Sequence, residues 1–287
     1  MTLTMPYGCT GPRWATSMTY QRFRDLHQGP GLLLLPNAWD AVSARLIESL
    51  GAKAIATTSA GLAWSNGYPD GNALPEDQLI TAIREIARVI RVPLTVDIEA
   101  GYADAPDVVA ALIARILDVG VVGINIEDGA GSAELLCKKI AAIRDRAAHS
   151  HCDLFINART DVYLRGIASG EAAIEEVVRR VSRYRAAGCD GLFVPGLKEV
   201  DAMAMISRAI APMPLNIMAV PHLPSMDTLQ ESGVRRLSTG SSIAQAVLGR
   251  TSRLVSDFLA GAMSEMFEVS ADYGDLNRLF ASNADRP

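Results

Sequence analysis

The sequence predicts an α/β chain folded as a (β/α)8 TIM-type barrel with extra C-terminal helices, and three observations carry that prediction. Eight short apolar runs rich in β-branched residues alternate with longer amphipathic stretches from Tyr20 onward. The runs are apolar throughout, which marks strands buried on both faces of a parallel sheet covered by helices. Gly51, Gly120, Gly188 and Gly233 fall just past a helix and before a strand, where a C-cap takes a positive φ. Eight regular repeats without a glycine-rich dinucleotide fingerprint favour closure into a barrel over a doubly wound open sheet.

In chain order the predicted strands cover residues 32–35, 54–58, 94–98, 122–126, 154–158, 191–194, 215–219 and 234–238. The helices between them cover 40–50, 77–90, 106–119, 133–148, 171–187, 198–210 and 225–232. Over 77–90, Leu79, Ile80, Ile83, Ile86, Ala87 and Ile90 share one stripe, as a helical period requires. Past the eighth strand the chain is too long for one barrel helix: 241–266 reads as a long helix and 272–281 as another. An added amphipathic helix on a barrel often covers a neighbouring subunit, which points to an oligomer. Residues 1–17 hold Pro6, Gly8, Gly11 and Pro12 with no period and read as a disordered tail, with Met18 as an alternative start. Residues 18–287 then form a single barrel domain.

Composition narrows the function classes. Of 287 residues, 49% are hydrophobic and 21% charged, the balance of an ordinary globular chain with ample surface to bury. The net charge of −5 and a pI near 5.4 argue against a nucleic-acid partner, whose phosphates call for a basic face. No apolar run approaches the roughly 20 residues of a membrane span, and no apolar leader opens the chain. A soluble, cytoplasmic protein is expected. The four cysteines, Cys9, Cys137, Cys152 and Cys189, are scattered without a C-x-x-C pair and read as reduced thiols.

Catalytic residues of such a barrel sit at the C-terminal ends of its strands. That rim gathers Asn37, Trp39 and Asp40, then Ser59 and the loop to Asp70, then Asp97 and Glu99. It continues with Glu127 and Asp128, with Arg159, Thr160 and Asp161, with Asn216 and His222, and with Ser238, Thr239 and Ser241. Asp97 and Glu99, at i and i+2 on a strand, are expected to face one space, with Glu127 adding a third carboxylate. Like charges so close oppose folding unless a cation joins them, and hard oxygen donors suit Mg²⁺ or Mn²⁺. Arg159 is the natural counter-ion: its fork either binds a substrate carboxylate or phosphoryl group or pairs with Glu127 or Asp161. The glycine-rich loop after strand 2 reads as a substrate loop whose amides at Ala60 to Leu62 cradle an oxyanion. Cys137 lies on a helix with no histidine partner, and no lysine stands at a strand end for Schiff-base chemistry. His222, between Pro221 and Pro224, reads either as a general acid–base or as a plain loop residue.

Together these motifs resemble the isocitrate lyase / phosphoenolpyruvate mutase superfamily over residues 32–247. The resemblance rests on Leu35-Pro36-Asn37-Ala38-Trp39-Asp40, Thr57-Thr58-Ser59-Ala60-Gly61, Gly67-Tyr68-Pro69-Asp70 and Asp97-Ile98-Glu99-Ala100-Gly101-Tyr102. It continues in Asn125-Ile126-Glu127-Asp128, Ile156-Asn157-Ala158-Arg159-Thr160-Asp161 and Phe193-Val194-Pro195-Gly196. It implies a Mg²⁺-dependent enzyme acting on 2-oxo acids or their enolates, commonly a tetramer with a C-terminal helix exchanged between neighbours. It implies that Asp97 touches the metal, that Asp70, Glu99 and Glu127 hold it through water, and that Arg159 binds a substrate carboxylate.

Three departures bear on the reaction. Family lyases carry a Lys-Lys-Cys-Gly-His lid after strand 4 and mutases an asparagine-containing one. Here Glu127-Asp128 runs through Gly129-Ala130-Gly131-Ser132 straight into a helix. Glu99 stands where the best-known members have Asp, and Pro195-Gly196 replaces a mutase histidine. A short lid casts doubt on isocitrate cleavage and phosphoryl migration, and tolerates reactions ending in protonation or hydrolysis. The expectation is a carbon–carbon lyase leaving an enolate, of the 2-methylisocitrate lyase or oxaloacetate decarboxylase type. The alternatives are P–C chemistry, as phosphonomutase or phosphonopyruvate hydrolase, and a barrel that binds a 2-oxo acid without turnover. The expected catalytic groups are Arg159, Glu127, Asp70 and His222, with Asp97, Glu99, Glu127 and Asp70 as the metal set. Substrate binding is expected from Ser59, Ala60, Gly61, Leu62, Trp39, Asp40, Arg159 and Asn216. The proton donor stays open between His222, Tyr68 and a metal-bound water.

Overall fold

A computed structural model describes residues 13–268 and 270–281. Pro36, which has no N–H for a ladder, splits the first strand into β1 (Leu33–Leu35) and β2 (Asn37–Ala38). The others follow as β3 (Ile55–Thr57), β4 (Leu94–Asp97), β5 (Gly123–Glu127), β6 (Phe155–Arg159), β7 (Gly191–Phe193), β8 (Leu215–Met218) and β9 (Val234–Ser238). All pair in parallel, with β1 beside β9 and β2 beside β3, so the eight predicted runs make a nearly closed barrel.

Helices cover the outside of the ring. α1 (Arg13–Gln28) precedes the barrel, and α2 (Ala41–Ser49) follows its first strand. After β3 comes a short helix, α3 (Ser59–Ser65), then α4 (Glu76–Val89), α5 (Pro106–Asp118) and α6 (Ala133–His149). α7 (Gly170–Ala187), α8 (Val200–Ile210) and α9 (Met226–Glu231) complete the coat, with α10 (Ser242–Leu259) and α11 (Tyr273–Ala281) beyond it. The stripe predicted on α4 is buried at Leu79, Ile80, Ile83 and Ile86. Gly188 caps α7 at φ 108°, the left-handed position expected of it.

Four expectations need correction. α1 begins at Arg13, inside the stretch read as a tail, while residues 1–12 lie outside the described residues. The long helix predicted over 241–266 stops at Leu259, with Gly261 at φ 89° and a separate 3-10 turn over Ser264–Phe267. The start of the predicted strand-2 loop is α3, capped by Thr58. Cys137 and Cys189 are free, but Cys152 is disulfide-bonded rather than reduced, and Cys9 lies outside the described residues.

α1 lies against the N-terminal mouth of the barrel. Phe23 is fully buried in a cluster with Leu33, Leu35, Ala56 and Phe155, and His27 stacks on Phe155 with ring centroids 4.4 Å apart. Burying the Phe23 ring contributes about 2–3 kcal/mol. Gly123 makes the fit possible: a Cβ there would stand 2.8 Å from Phe23 Cε1 and 2.9 Å from Thr95 Oγ1. No helix among the described residues is long and apolar enough to cross a membrane.

Gly123→Ala is therefore expected to lower the unfolding free energy by about 1–3 kcal/mol, the usual cost of overpacking. A urea midpoint reads it, and an unchanged midpoint would mean that α1 yields without cost.

Candidate active site

Glu127 and Arg159 end β5 and β6 and are paired in register, so their side chains rise next to each other at the rim. Arg159 Nη1 meets Glu127 Oε2 at 2.6 Å. On its other side the fork donates to Asp161, from Nε to Oδ1 at 2.7 Å and from Nη2 to Oδ2 at 3.1 Å. Burial alone would lower the Arg159 pKa, but Glu127 and Asp161 outweigh it and hold the group well above its ordinary value. Both pairings offered for Arg159 exist at once. Asp128 faces the other way and accepts from Thr160 Oγ1, the Asp161 amide, Arg180 Nη1 and Tyr184 Oη, anchoring the β5 and β6 ends.

Asp97 ends β4 beside its register partner Asn125 on β5, and its carboxylate accepts from the Glu99 amide at 3.0 Å. Glu99 does not continue the strand. The backbone turns left-handed at Glu99 (φ 52°), Gly101 (φ 94°) and Tyr102 (φ 60°), so the expected i, i+2 alignment is lost. A non-glycine residue there costs on the order of 1 kcal/mol, and the turn persists because its neighbours hold it. Gly101 N donates to Ile98 O at 2.7 Å, and Lys139 Nζ to Ala100 O at 2.8 Å. The Glu99 carboxylate accepts from the Asn72 amide and, at 3.2 Å, from Tyr102 Oη. Asn72 Oδ1 in turn accepts the Tyr102 amide at 3.2 Å.

Glu99, Glu127, Arg159 and Lys139 face a cavity of about 340 Å³ that Ser59 and Asp70 also line, among others, while Asp97 is buried and does not line it. Asn72, Arg165 and residues 129–132 also line it, the last being the whole of the short lid segment before α6. A larger cavity of about 550 Å³ opens at the opposite rim beside Arg24, His27 and Asp190. It lacks the carboxylate cluster, so chemistry rather than size picks the site.

The donors around the cluster are carboxylate oxygens, which fit a hard divalent cation. Among the described residues no three acidic, histidine or cysteine side chains converge tightly enough to hold an ion directly. The set fits a cation touched by one carboxylate and reached through water by the others.

The remaining predicted residues are placed differently. Asn216 is buried inside the barrel, where its Oδ1 accepts from Asn157 Nδ2 at 3.0 Å and its Nδ2 donates to the Ile217 and Arg236 carbonyls. It does not face the cavity. Asp40 caps α2, accepting the Ser43 amide at 2.6 Å in a reciprocal capping box. Trp39 is half-buried and fixes α3, its carbonyl accepting from Ser65 Oγ at 3.2 Å. A Cβ on Gly61 would come within 2.7 Å of Trp39 Cβ, so only glycine allows this approach. The Gly61 and Leu62 amides bond back to Thr58, which leaves those of Ser59 and Ala60 as first-turn donors. His222 is exposed at φ 67° and lies off the cavity, as does Tyr68, whose hydroxyl accepts from Gln78 Nε2.

Sequence reasoning missed Asn72, Tyr102, Lys139 and Arg165. Lys139 left a signal: it sits in the apolar stripe of α6 with Leu136, Ile140 and Ile143 and is 3% exposed. Tyr102 closed the 97–102 motif without being given a role, and Asn72 and Arg165 left no signal, because they arrive through loop geometry.

Comparison with known proteins agrees with the geometry. Residues 23–259 match the family model described as phosphoenolpyruvate phosphomutase. An uncharacterised protein of Mycobacterium tuberculosis H37Rv is 39% identical over 264 residues, covering 88% of this chain and 94% of that one. The oxaloacetate decarboxylase of Pseudomonas entomophila is 27% identical over 241 residues, 80% of this chain and 81% of that one. The crystal structure of a candidate lyase/mutase from Burkholderia cenocepacia J2315 superposes with a TM-score of 0.84 at 33% identity, covering 93% of this chain and 97% of that one.

Burial pushes the Glu127 carboxyl up to about 8, with Asp97, Asp161 and Glu99 adding to the rise and Arg159 opposing it. Burial likewise raises Asp97 and Glu99. A carboxyl raised on folding binds its proton more tightly in the native state, so stability is lost as pH climbs from the ordinary carboxylate range towards 8. Without divalent cations the melting temperature should fall across that window, and Glu127→Gln should flatten the fall. A wild-type profile that rises over the same window would contradict the cluster's electrostatics.

Proposed function

The chain belongs to the phosphoenolpyruvate phosphomutase family, within the isocitrate lyase / phosphoenolpyruvate mutase superfamily, and from that premise we propose a Mg²⁺-dependent lyase. It cleaves a C–C bond of a small 2-hydroxy- or 2-oxo-carboxylic acid. The observation that carries this reading is the placing of Asp70, Glu99 and Glu127 around one cavity beside Arg159, with Asp97 buried close enough to feel the charges of Asp70 and Arg159. Asp97 would touch the cation, and Asp70, Glu99 and Glu127 would hold it through water; Mn²⁺ suits the same donors. When bound, the cation supplies Lewis-acid stabilisation of the enolate oxygen left by bond cleavage.

The chain's own groups supply the rest. Arg159, fixed on both sides, keeps one N–H on each of Nη1 and Nη2 for a substrate carboxylate, and the amides of Ser59 and Ala60 donate to the developing oxyanion. Lys139 pins the Glu99 turn, so the carboxylate does not swing away. Asp70, exposed on the cavity edge, adds negative charge near Asp97 and Glu99. The four-residue segment 129–132 leaves the site short of a lid, which suits a reaction ending in protonation of an enolate, as in oxaloacetate decarboxylation. The same short segment supports a second reading, hydrolysis of a P–C bond, where water is the reactant.

We also propose a homo-oligomer, a dimer or tetramer. α10 exposes Val247, Leu248, Val255, Phe258 and Leu259 and buries only Ala244 in the single chain. Light scattering should give a multiple of the 30.6 kDa chain. A strictly monomeric mass would remove this part of the proposal.

Turnover decides the reaction. With Mg²⁺, the protein should release pyruvate from oxaloacetate, or the corresponding products from a related hydroxy acid. Asp97→Ala and Arg159→Ala should each lower kcat/KM by about a hundredfold or more, as loss of transition-state stabilisation does. Phosphate release from phosphonopyruvate instead would assign P–C chemistry. Unchanged turnover in Asp97→Ala would overturn the metal-centred account.

A further inference from the structure

Arg236, on β9, is fully buried inside the barrel, below the active rim. Its Nη2 donates to Asn125 Oδ1 at 3.1 Å, while Nε and Nη1 have no partner among the described residues. Burial pushes its pKa down to about 9, and Asp97 is the charge that pulls it back up. A buried cation with no carboxylate in contact costs several kcal/mol, and an apolar side chain of similar volume would remove that cost. Fold stability therefore gives no reason for an arginine at this position.

Asn125 connects it to the site. Its Oδ1 accepts from both Arg236 Nη2 and, at 2.9 Å, Asn157 Nδ2, so its amide nitrogen is left for Asp97, its register partner on β4. Reversing the amide would set its NH₂ against two donors and leave Asp97 facing an oxygen. The guanidinium, which cannot act as an acceptor, rules out that reversal more firmly than a neutral hydroxyl or amide would.

We propose that Arg236 is a positioning residue: through Asn125 it fixes the Asp97 carboxylate in the orientation that receives a divalent cation. The inference rests on the reading of Asp97 as the metal-touching carboxylate. Partners one layer out from metal ligands typically change metal affinity by about 10–100-fold when removed.

The test is calorimetric titration of Mg²⁺, with Mn²⁺ as a second probe, into the full chain. Four proteins are compared: wild type, Arg236→Met, Arg236→Gln and Asp97→Ala. Arg236→Met should unfold, without metal, at the wild-type temperature or above it, and bind the ion about tenfold more weakly or worse. Arg236→Gln, which keeps a donor for Asn125 Oδ1, should stay within about threefold of wild type, a smaller loss than removing the partner altogether brings. Wild-type affinity in Arg236→Met would overturn the inference while leaving the metal site standing. A loss of affinity accompanied by a lower metal-free melting temperature in both variants would assign Arg236 to the fold and equally overturn it. Equal binding by wild type and Asp97→Ala would instead defeat the underlying reading of the site.

Discussion

Arg159 meets Glu127 at 2.6 Å and Asp161 at 2.7 Å, so one guanidinium ties the end of β5 to the chain leaving β6. Everything else at the rim depends on that shared cation. It offsets the repulsion between Glu127 and Asp161 and sits close enough to Asp97 to favour its charged form. It does not neutralise the cluster. Asp70 and Glu99 remain, and their charge adds to the burial that chiefly raises the carboxyl groups of the cluster. A divalent cation is the simplest ligand that removes this excess, since it lowers the energy of every carboxylate together.

Beneath the rim the barrel is layered. α1 lies over the far mouth with Phe23 and His27, and Phe155 forms the apolar floor. Above that floor Asn125, Asn157, Asn216 and Arg236 form a buried polar layer. The carboxylates stand on this layer, and the outer coat of helices keeps it dry. Such an interior is less stable than an apolar one of the same volume, because buried polar groups gain little beyond replacing their hydrogen bonds to water. What it provides is direction: each amide has one orientation that satisfies its neighbours, and Asn125 stands beside Asp97 in the β4–β5 register.

Much of this was legible in the sequence. The eight apolar runs match the strands almost residue for residue, because burial on both faces leaves an unbroken signal. The rim rule brought Asp70, Glu99, Glu127 and Arg159 to one cavity from four separate strand ends. It misplaced Asn216 and His222 for a common reason. Position at a strand end does not say whether a side chain points into the barrel, as Asn216 does, or away with a loop, as His222 does. Glu99 misled in a second way: the two-residue period holds only while the strand lasts, and β4 ends at Asp97. The helix predicted over 241–266 ends instead at Leu259, with Gly261 just beyond it at φ 89°, the left-handed position in which helices commonly stop.

The central claim is that this rim is an enolate site completed by a divalent cation. Oxalate mimics the enolate of pyruvate in charge and bite, so thermal unfolding with Mg²⁺, with oxalate and with both measures the claim directly. The account predicts a melting temperature raised most by the two together, with the combined shift absent in Asp97→Ala. A wild-type protein whose melting temperature ignores the pair would contradict it, leaving the carboxylates as charges that only structure the rim.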